Sequence, residues 1–342
     1  MRSYRLAFAV LCFAAMFAGC TGTGSLPQLQ PPVAAPDAKG LFHVPAGQSW
    51  ILPDAKKQDL IYVSDVIAQV VWIYTFHGHH KLVGMLTGFF NAEGLCVDRA
   101  GDVYVTNDTS DGVHQITEYA HGSTTAMRTI NDPDGRANGC SVDPVTGNLA
   151  VANFWGASDR EGNVAVYPNA SGYPVAYSNP NIYWYYYCGY DDNGNLFVDG
   201  ETEASVFGLG ELSKGGNTLN FIPVDETIYL PGGVEWDGKY LAVGDQVAVK
   251  NGFHSTVYQF AISGSQATTV NTMTLLSGNE VAQFWIPRIP GRKNSGDKIL
   301  LGTSQGNGNT PIWSYPSGGY PIQTITGETS PIGVTVSFAK KW

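Results

Sequence analysis

Apolar and polar residues alternate along this chain in short runs, each the length of a single β-strand, with glycine-bearing turns between them. In GLCVDRAGDVYVTN, Leu95 and Val97 fall on one side of a first run and Cys96 on the other. After the turn at Gly101, Val103 and Val105 alternate with Tyr104 and Thr106. The same unit returns as GCSVDPVTGNLAVAN, YDDNGNLFVDG and VEWDGKYLAVGD. A second unit lies between, in which an aromatic-bearing strand runs through a Gly turn into another strand. It reads IYTFHGHHKLVGML from Ile73, TEYAHGSTTAMRTI from Thr117, VYPNASGYPVAY from Val166, ELSKGGNTLNFI from Glu211, YQFAISGSQATTV from Tyr258 and WSYPSGGYPIQTI from Trp313. The turn glycines Gly101, Gly147, Gly194, Gly238 and Gly296 are spaced 46, 47, 44 and 58 residues apart, the length of one four-stranded blade in a radial repeat.

Laid over one another, the units begin at Gly94, Gly139, Tyr187, Gly233 and Gly333, with a less regular start near Val281. The chain ends on a first strand, PIGVTVSF, with nothing after it, whereas the unit from Leu60 lacks a first strand. Joining the two leaves no free sheet edge. The expected fold is therefore all-β: a six-bladed β-propeller over residues 41–342, closed by the C-terminal strand joining the N-terminal blade. Antiparallel alternation puts the starts of first strands and the ends of second strands on one face, where propeller channels open.

The unit carried by Gly94, Val97, Asp98, Gly101, Val103 and Val105, and again by Gly139, Val142, Asp143, Gly147, Leu149 and Val151, resembles the NHL and gluconolactonase-type six-bladed propellers. The resemblance covers essentially everything after the N-terminal segments. It implies that Glu93 and Asn138 are metal ligands, because Glu-Gly and Asn-Gly hold the divalent ion in those enzymes. A carboxylate and an amide oxygen are hard ligands suited to calcium, and the bound ion would activate water against a lactone. Leu95 stands where that family has Pro, and neither Tyr186 nor Gly232 supplies its further Asp. The streptogramin lyases are also propellers, but no His and Glu arrangement here supports that chemistry.

Other candidates come from the residues themselves. Second strands end on the channel face with Asp65, Asn107, Asn153 and Asp245, and Gly200 and Thr303 complete a ring able to meet a cation, a sugar or water. Phe154, Trp155, Trp184 and Tyr186 would add aromatic faces for stacking on sugars or partner side chains. Asp98, Asp143, Asp191 and Asp237 recur once per blade and read as turn anchors. His77, His79 and His80 form a turn on the opposite face, read as solvated rather than as a zinc site. Glu235 falls where other blades carry small inter-blade residues, so it is paired, exposed or functional. Side-chain parity leaves Cys96 with Cys140 as the one adjacent-blade pair able to face, yet buried free thiols are expected for Cys96, Cys140 and Cys188.

At the N-terminus, Arg2 and Arg5 precede the apolar run Leu6 to Phe17 and then Ala18, Gly19 and Cys20. This ending resembles the bacterial lipobox, which implies a signal peptide over 1–19 and a lipid on Cys20; an ordinary secretory signal is the other reading. Residues 20–40, rich in Pro, Gly, Ser, Ala and Gln, behave as a tether. Losing Arg2 and Arg5 leaves 17 basic against 29 acidic residues, a net of −12, which disfavours nucleic acid and anionic lipid as partners. There is no G-x-S-x-G elbow, phosphate-binding loop or paired-Cys zinc spacing. The functional expectation is an envelope-anchored, extracytoplasmic module that binds a protein or carbohydrate through its channel face. A calcium-type lactonase is the alternative, and whether the chain is an enzyme stays open at this level.

Overall fold

The computed structural model describes residues 47–156, 161–288 and 298–340. The segments expected to be a signal peptide and a tether, with Cys20, lie outside the described residues. Six antiparallel sheets are arranged as blades. Blade 1 runs outward from Pro331–Ser337 through Leu60–Asp65, Val70–Thr75 and Leu82–Leu86, and a fifth strand, Trp50–Ile51, pairs with its outer edge. Blade 2 comprises Asn91–Val97, Val103–Asp108, His114–Tyr119 and Ala126–Asn131; blade 3 comprises Gly135–Val142, Leu149–Gly156, Asn163–Tyr167 and Val175–Tyr177. Blade 4 comprises Trp184–Tyr190, Leu196–Glu201, Phe207–Leu212 and Asn220–Ile222, and blade 5 Pro231–Trp236, Leu241–Ala248, His254–Ser263 and Gln266–Thr274. Blade 6 comprises Val281–Trp285, Lys298–Ser304, Asn309–Tyr315 and Gln323–Thr326. The aromatic-and-Gly units are the third and fourth strands, outermost in each blade.

The alternation read from the sequence puts each strand's apolar residues on two sides, and both sides are buried because every blade is sandwiched. Six hydrophobic clusters result, one at each junction between neighbouring blades. The cluster of Ile61, Val63, Val334 and Val336 with Leu301 and Ile312 seals blade 6 against blade 1. Burying each such side chain contributes roughly 1.5–3 kcal/mol, so the junctions rather than the single sheets hold the ring.

Near the axis the first strands of four blades approach their neighbours too closely for a side chain at the reference position. Every blade has a register break where two first-strand residues face one of the second strand, as between Ala92 and Leu95 or Val281 and Phe284. The reference glycines sit at these bulges. A Cβ on Gly94 would lie 2.4 Å from the Asn138 carbonyl oxygen of blade 3, and one on Gly333 would lie 2.4 Å from that of Glu93 in blade 2. In blade 6 the equivalent residue is Gln283, two positions beyond the start expected from the sequence. Its buried side chain spans the seam: Nε2 donates to the Leu95 carbonyl at 2.8 Å, and Oε1 accepts from Leu95 N at 3.0 Å and Val334 N at 3.1 Å.

The four recurring Asp residues anchor the turns between first and second strands, as expected. Asp237 Oδ1 accepts from the backbone of Lys239 and Tyr240 at 2.8 and 2.9 Å, and Asp191 Oδ1 from Asn193 and Asn195 at 2.8 Å each. His77 pairs with Asp59 in an exposed turn, and the His80 ring meets Gln323, so these histidines do local structural work. Glu235 is half-buried and faces Arg288; burial pushes its carboxyl up to about 8, with the Arg288 charge pulling the other way.

The expectation for the thiols is corrected. Cys96 and Cys140 are joined in a disulfide with a Cα–Cα distance of 5.6 Å, linking the first strands of blades 2 and 3. The close approach at Gly94 and Asn138 brings the two strands within disulfide range, and the parity that made the two cysteines face does the rest. Among the described residues, Cys188 alone stays a buried free thiol.

Two outcomes follow for stability. The bond closes a loop of 44 residues, so Cys96→Ser with Cys140→Ser should cost roughly 2–4 kcal/mol in denaturant unfolding. Glu328, which accepts from the Thr310 hydroxyl at 3.0 Å beside the seam, is pushed up by burial to about 8. A carboxyl raised in the folded state contributes stability that is present below its unfolded value of 4.5 and lost as pH rises through about 8. Glu328→Gln should therefore melt close to the wild type near pH 5 and clearly above it near pH 8.5.

Candidate functional site on the channel face

The bulges place Glu93, Asn138 and Tyr186 one residue before the reference position in three adjacent blades. Their side chains do not meet at one point. Glu93 is buried, and its Oε1 accepts from Arg136 Nη2 at 2.8 Å and Asn91 Nδ2 at 2.6 Å. Burial raises its pKa and the Arg136 charge opposes the rise. Asn138 Nδ2 donates to the Tyr186 carbonyl at 2.8 Å. The Tyr187 hydroxyl lies between, hydrogen-bonded to the Asn138 side chain and close enough to Glu93 for that charge to oppose its ionisation, second to burial. A calcium-type ion needs six to eight oxygen ligands, and among the described residues no group of three His, Cys, Asp or Glu is arranged to hold a metal. A guanidinium already sits on Glu93. The two residues, as arranged, do not fit a divalent ion.

The ring at the ends of the second strands is buried and engaged. Asp65, Asn107, Asn153 and Asp245 are each at most 1% exposed. Asn107 Oδ1 accepts from Phe90 N and Asn91 N at 3.0 and 3.1 Å. Asp245 accepts from Tyr229 N and Leu230 N at 3.1 Å each, and Asp65 from Thr329 N at 2.7 Å and Ser330 N at 3.1 Å. Each head satisfies backbone donors in the irregular loop that enters the first strand of its own blade. Asn153 works through Asn163, whose Oδ1 accepts from it at 3.1 Å. In blade 6 this position is Ser304, which accepts from Asn279 N at 2.9 Å. Thr303 belongs one residue earlier, with Ser64 and Thr106, whose hydroxyls donate to the backbone carbonyl of the next blade.

The residues open to solvent lie two positions further out, at the first-strand starts Asn91, Arg136 and Trp184. Arg136 in blade 3 reaches back to blade 2, where Nε also pairs with Asp108 Oδ2 at 3.1 Å. Asp108 Oδ1 meets His114 Nδ1 at 2.6 Å. The Arg136 side chain stays 43% exposed, so one edge of a fixed guanidinium faces the surface. Trp155 is its cross-strand partner and is itself 37% exposed. Beside them Phe154 stacks on Trp184 with ring centroids 6.4 Å apart, touches Trp155 at 5.7 Å, and meets Tyr186 edge-on at 4.9 Å. The Tyr186 hydroxyl donates to Glu201 Oε2 at 2.9 Å, and burial raises the Glu201 carboxyl.

The structure thus brings Phe154, Trp155, Trp184 and Tyr186 together, sets Glu93 beneath Arg136, and separates all of these from the Asp65 and Asp245 anchors. Arg136, Asp108 and His114 are the residues sequence reasoning missed. The signal was present in GRANGC: an isolated cation one strand-face repeat before Asn138, in a chain with only 19 Lys and Arg.

No family model matches the chain, and no curated protein matches it. Solved structures do. A chain of the nidogen/laminin complex aligns with a TM-score of 0.58 and 11% identity, covering 83% of this chain and 100% of its own length. The periplasmic gluconolactonase PpgL of Pseudomonas aeruginosa aligns with a TM-score of 0.54 and 15% identity over 82% of this chain and 99% of its own. A protein from Lactobacillus plantarum gives 0.52, 15%, 82% and 99%. At such identities these neighbours define the class, a six-bladed β-propeller, and nothing finer.

The ion pair at the floor sets an expectation. Arg136→Ala leaves two carboxylates beside one another without their cation, and should cost about 2 kcal/mol, less than a fully buried pair because the guanidinium is partly solvated. Adding Glu93→Gln to that variant should recover part of the loss in a double-mutant cycle by denaturant unfolding.

Proposed function

We propose that this protein is a binding module that recognises a protein or carbohydrate ligand with its channel face, exported and held at the cell envelope through Cys20. The observation that carries the reading is the aromatic wall of Phe154, Trp155 and Trp184 standing open beside the fixed polar group of Arg136, Asp108 and His114. Flat apolar faces next to rigid donors and acceptors are what stacking on a sugar ring or a partner side chain requires. The Cys96–Cys140 disulfide supports a compartment outside the reducing cytoplasm. Metal-dependent lactone hydrolysis, the other reading, needs a donor set that Glu93 and Asn138 do not provide while Arg136 holds the carboxylate.

The test is binding to a panel of glycans and defined peptides. Trp155→Ala and Trp184→Ala should each weaken the best ligand about tenfold or more, as expected for aromatic anchors, with unchanged melting. Chelation followed by calcium addition should move neither binding nor melting temperature. A calcium-dependent lactonase activity, or full binding by both Trp variants, would overturn the reading.

A further inference from the structure

The two faces of the disc differ in charge. On the channel face, around the aromatic wall, the connections of blades 2 to 4 carry Asp111, Asp134, Glu161 and Glu203, all exposed or half-exposed. Beneath them Glu93 and Asp108 outnumber the one cation they share, Arg136. Among the described side chains, Arg136 is the only Lys or Arg on this face. The basic residues gather at the other end of the strands, as with Lys56, Lys57, Arg99, Lys214, Lys239 and Lys298. There the turn carboxylates of Asp98, Asp143, Asp191 and Asp237 accompany them.

The acidic face is also apolar in patches. Ile67, Phe90, Val113, Tyr229 and Phe253 are large exposed hydrophobics in loops that open on it, and Trp155 is exposed at the strand end beside them. Exposed apolar residues occur at the other end too, as with Tyr173 and Tyr320, so what marks this sector as an interaction surface is the joining of the aromatic wall to exposed carboxylates. The charge then selects the occupant. Like charge disfavours a second copy docked face to face, a nucleic acid or an anionic membrane. On the opposite face the lysines stand among the turn carboxylates, so that face is mixed in charge rather than cationic.

We propose that the channel face docks a basic, partly apolar polypeptide segment of another protein. Its Lys or Arg side chains meet Asp111, Asp134, Glu161 and Glu203, and its apolar side chains seat on Trp155 and the Phe154–Trp184 wall, where cation–π contact adds to the charge term. This rests on the reading of the channel face as the ligand-binding face and narrows it to one class of ligand.

The experiment uses the exported chain with a labelled peptide of Lys, Leu and Ser, its Glu, Leu and Ser counterpart, and neutral glycans. The Lys peptide should bind, more weakly as salt rises, and the Glu peptide should not. The triple variant Asp111→Asn, Glu161→Gln, Glu203→Gln should weaken it about tenfold, and Trp155→Ala by a similar factor. Neutralising as many carboxylates on the opposite face, with Asp54→Asn, Asp192→Asn and Glu211→Gln, should change affinity less than about twofold. Melting curves establish that each variant is folded. Equal losses from the two triple variants, or equal binding of the two peptides, would overturn the proposal by showing general attraction. Glycan binding that only Trp155→Ala abolishes would overturn it too while sparing the broader channel-face reading, and binding that Trp155→Ala leaves untouched would end both.

Discussion

The seam between Pro331–Ser337 and Leu60–Asp65 is the constraint on which the ring depends. A propeller blade has no stable existence alone, since each of its two faces must be covered by a neighbour. With six junction clusters and no spare surface, opening one junction exposes two faces at once. The chain closes the last junction by giving blade 1 its innermost strand from the far end of the sequence, in register from Leu60 opposite Ser337 to Ser64 opposite Gly333. Gln283 reinforces that junction from a third blade, with three hydrogen bonds to Leu95 and Val334. Burial makes those bonds costly to leave unmade, so an amide at this one reference position holds blades 6, 1 and 2 together.

The same crowding decides where a ligand site can be. Because the reference glycines let backbone approach backbone, little space is left at the axis, and the two non-Gly reference side chains, Gln283 and Tyr187, are both buried across it. Glu93, which in an open channel would be free to take a ligand, instead spends its carboxylate on Arg136 and Asn91. That engagement has a consequence one layer out. The guanidinium is held from below at two points, Nη2 and Nε, which fixes its plane and leaves its outer edge presented with little rotamer entropy to lose on binding. The recognition surface is thus displaced from the axis onto the rim of blades 2 to 4, and the axial residues serve to stiffen it.

The architecture was legible because repetition multiplies a weak signal. One Gly-turn strand pair says little, but several at a spacing of 44 to 47 residues, with a surplus first strand at one end and a missing one at the other, leave few alternatives. Strand parities single out Cys96 and Cys140 as the adjacent-blade pair able to face. They could not decide between thiol and disulfide, which depends on how closely the bulges at Gly94 and Asn138 bring two strands together. The site was harder. Asp65, Asn107 and Asp245 look like ligands because they are short, polar and recurrent, but recurrence at one position of several blades is itself the mark of a common backbone task. The residues that do differ between blades, Asn91, Arg136 and Trp184, share one structural position. The repeat does not reveal that Arg136 reaches back to blade 2, and a register shift at Trp155 hides its pairing with Arg136.

Charge segregation adds a layer that neither motif nor period contains. Net charge of −10 would be unremarkable if spread evenly, but the strand direction sorts it, because turn types alternate between the two ends of every blade. Turns between first and second strands need Asp to cap their backbone, so acidic residues there answer to folding, and the neighbouring lysines offset them. The channel-face loops have no such requirement at their tips. Asp111, Asp134, Glu161 and Glu203 cap no repeated turn and pair with no Lys or Arg among the described residues, and they cluster on the blades that carry the open tryptophan. Carboxylates and aromatics that folding does not demand, gathered on one sector of one face, are what selection for a cationic partner would leave behind.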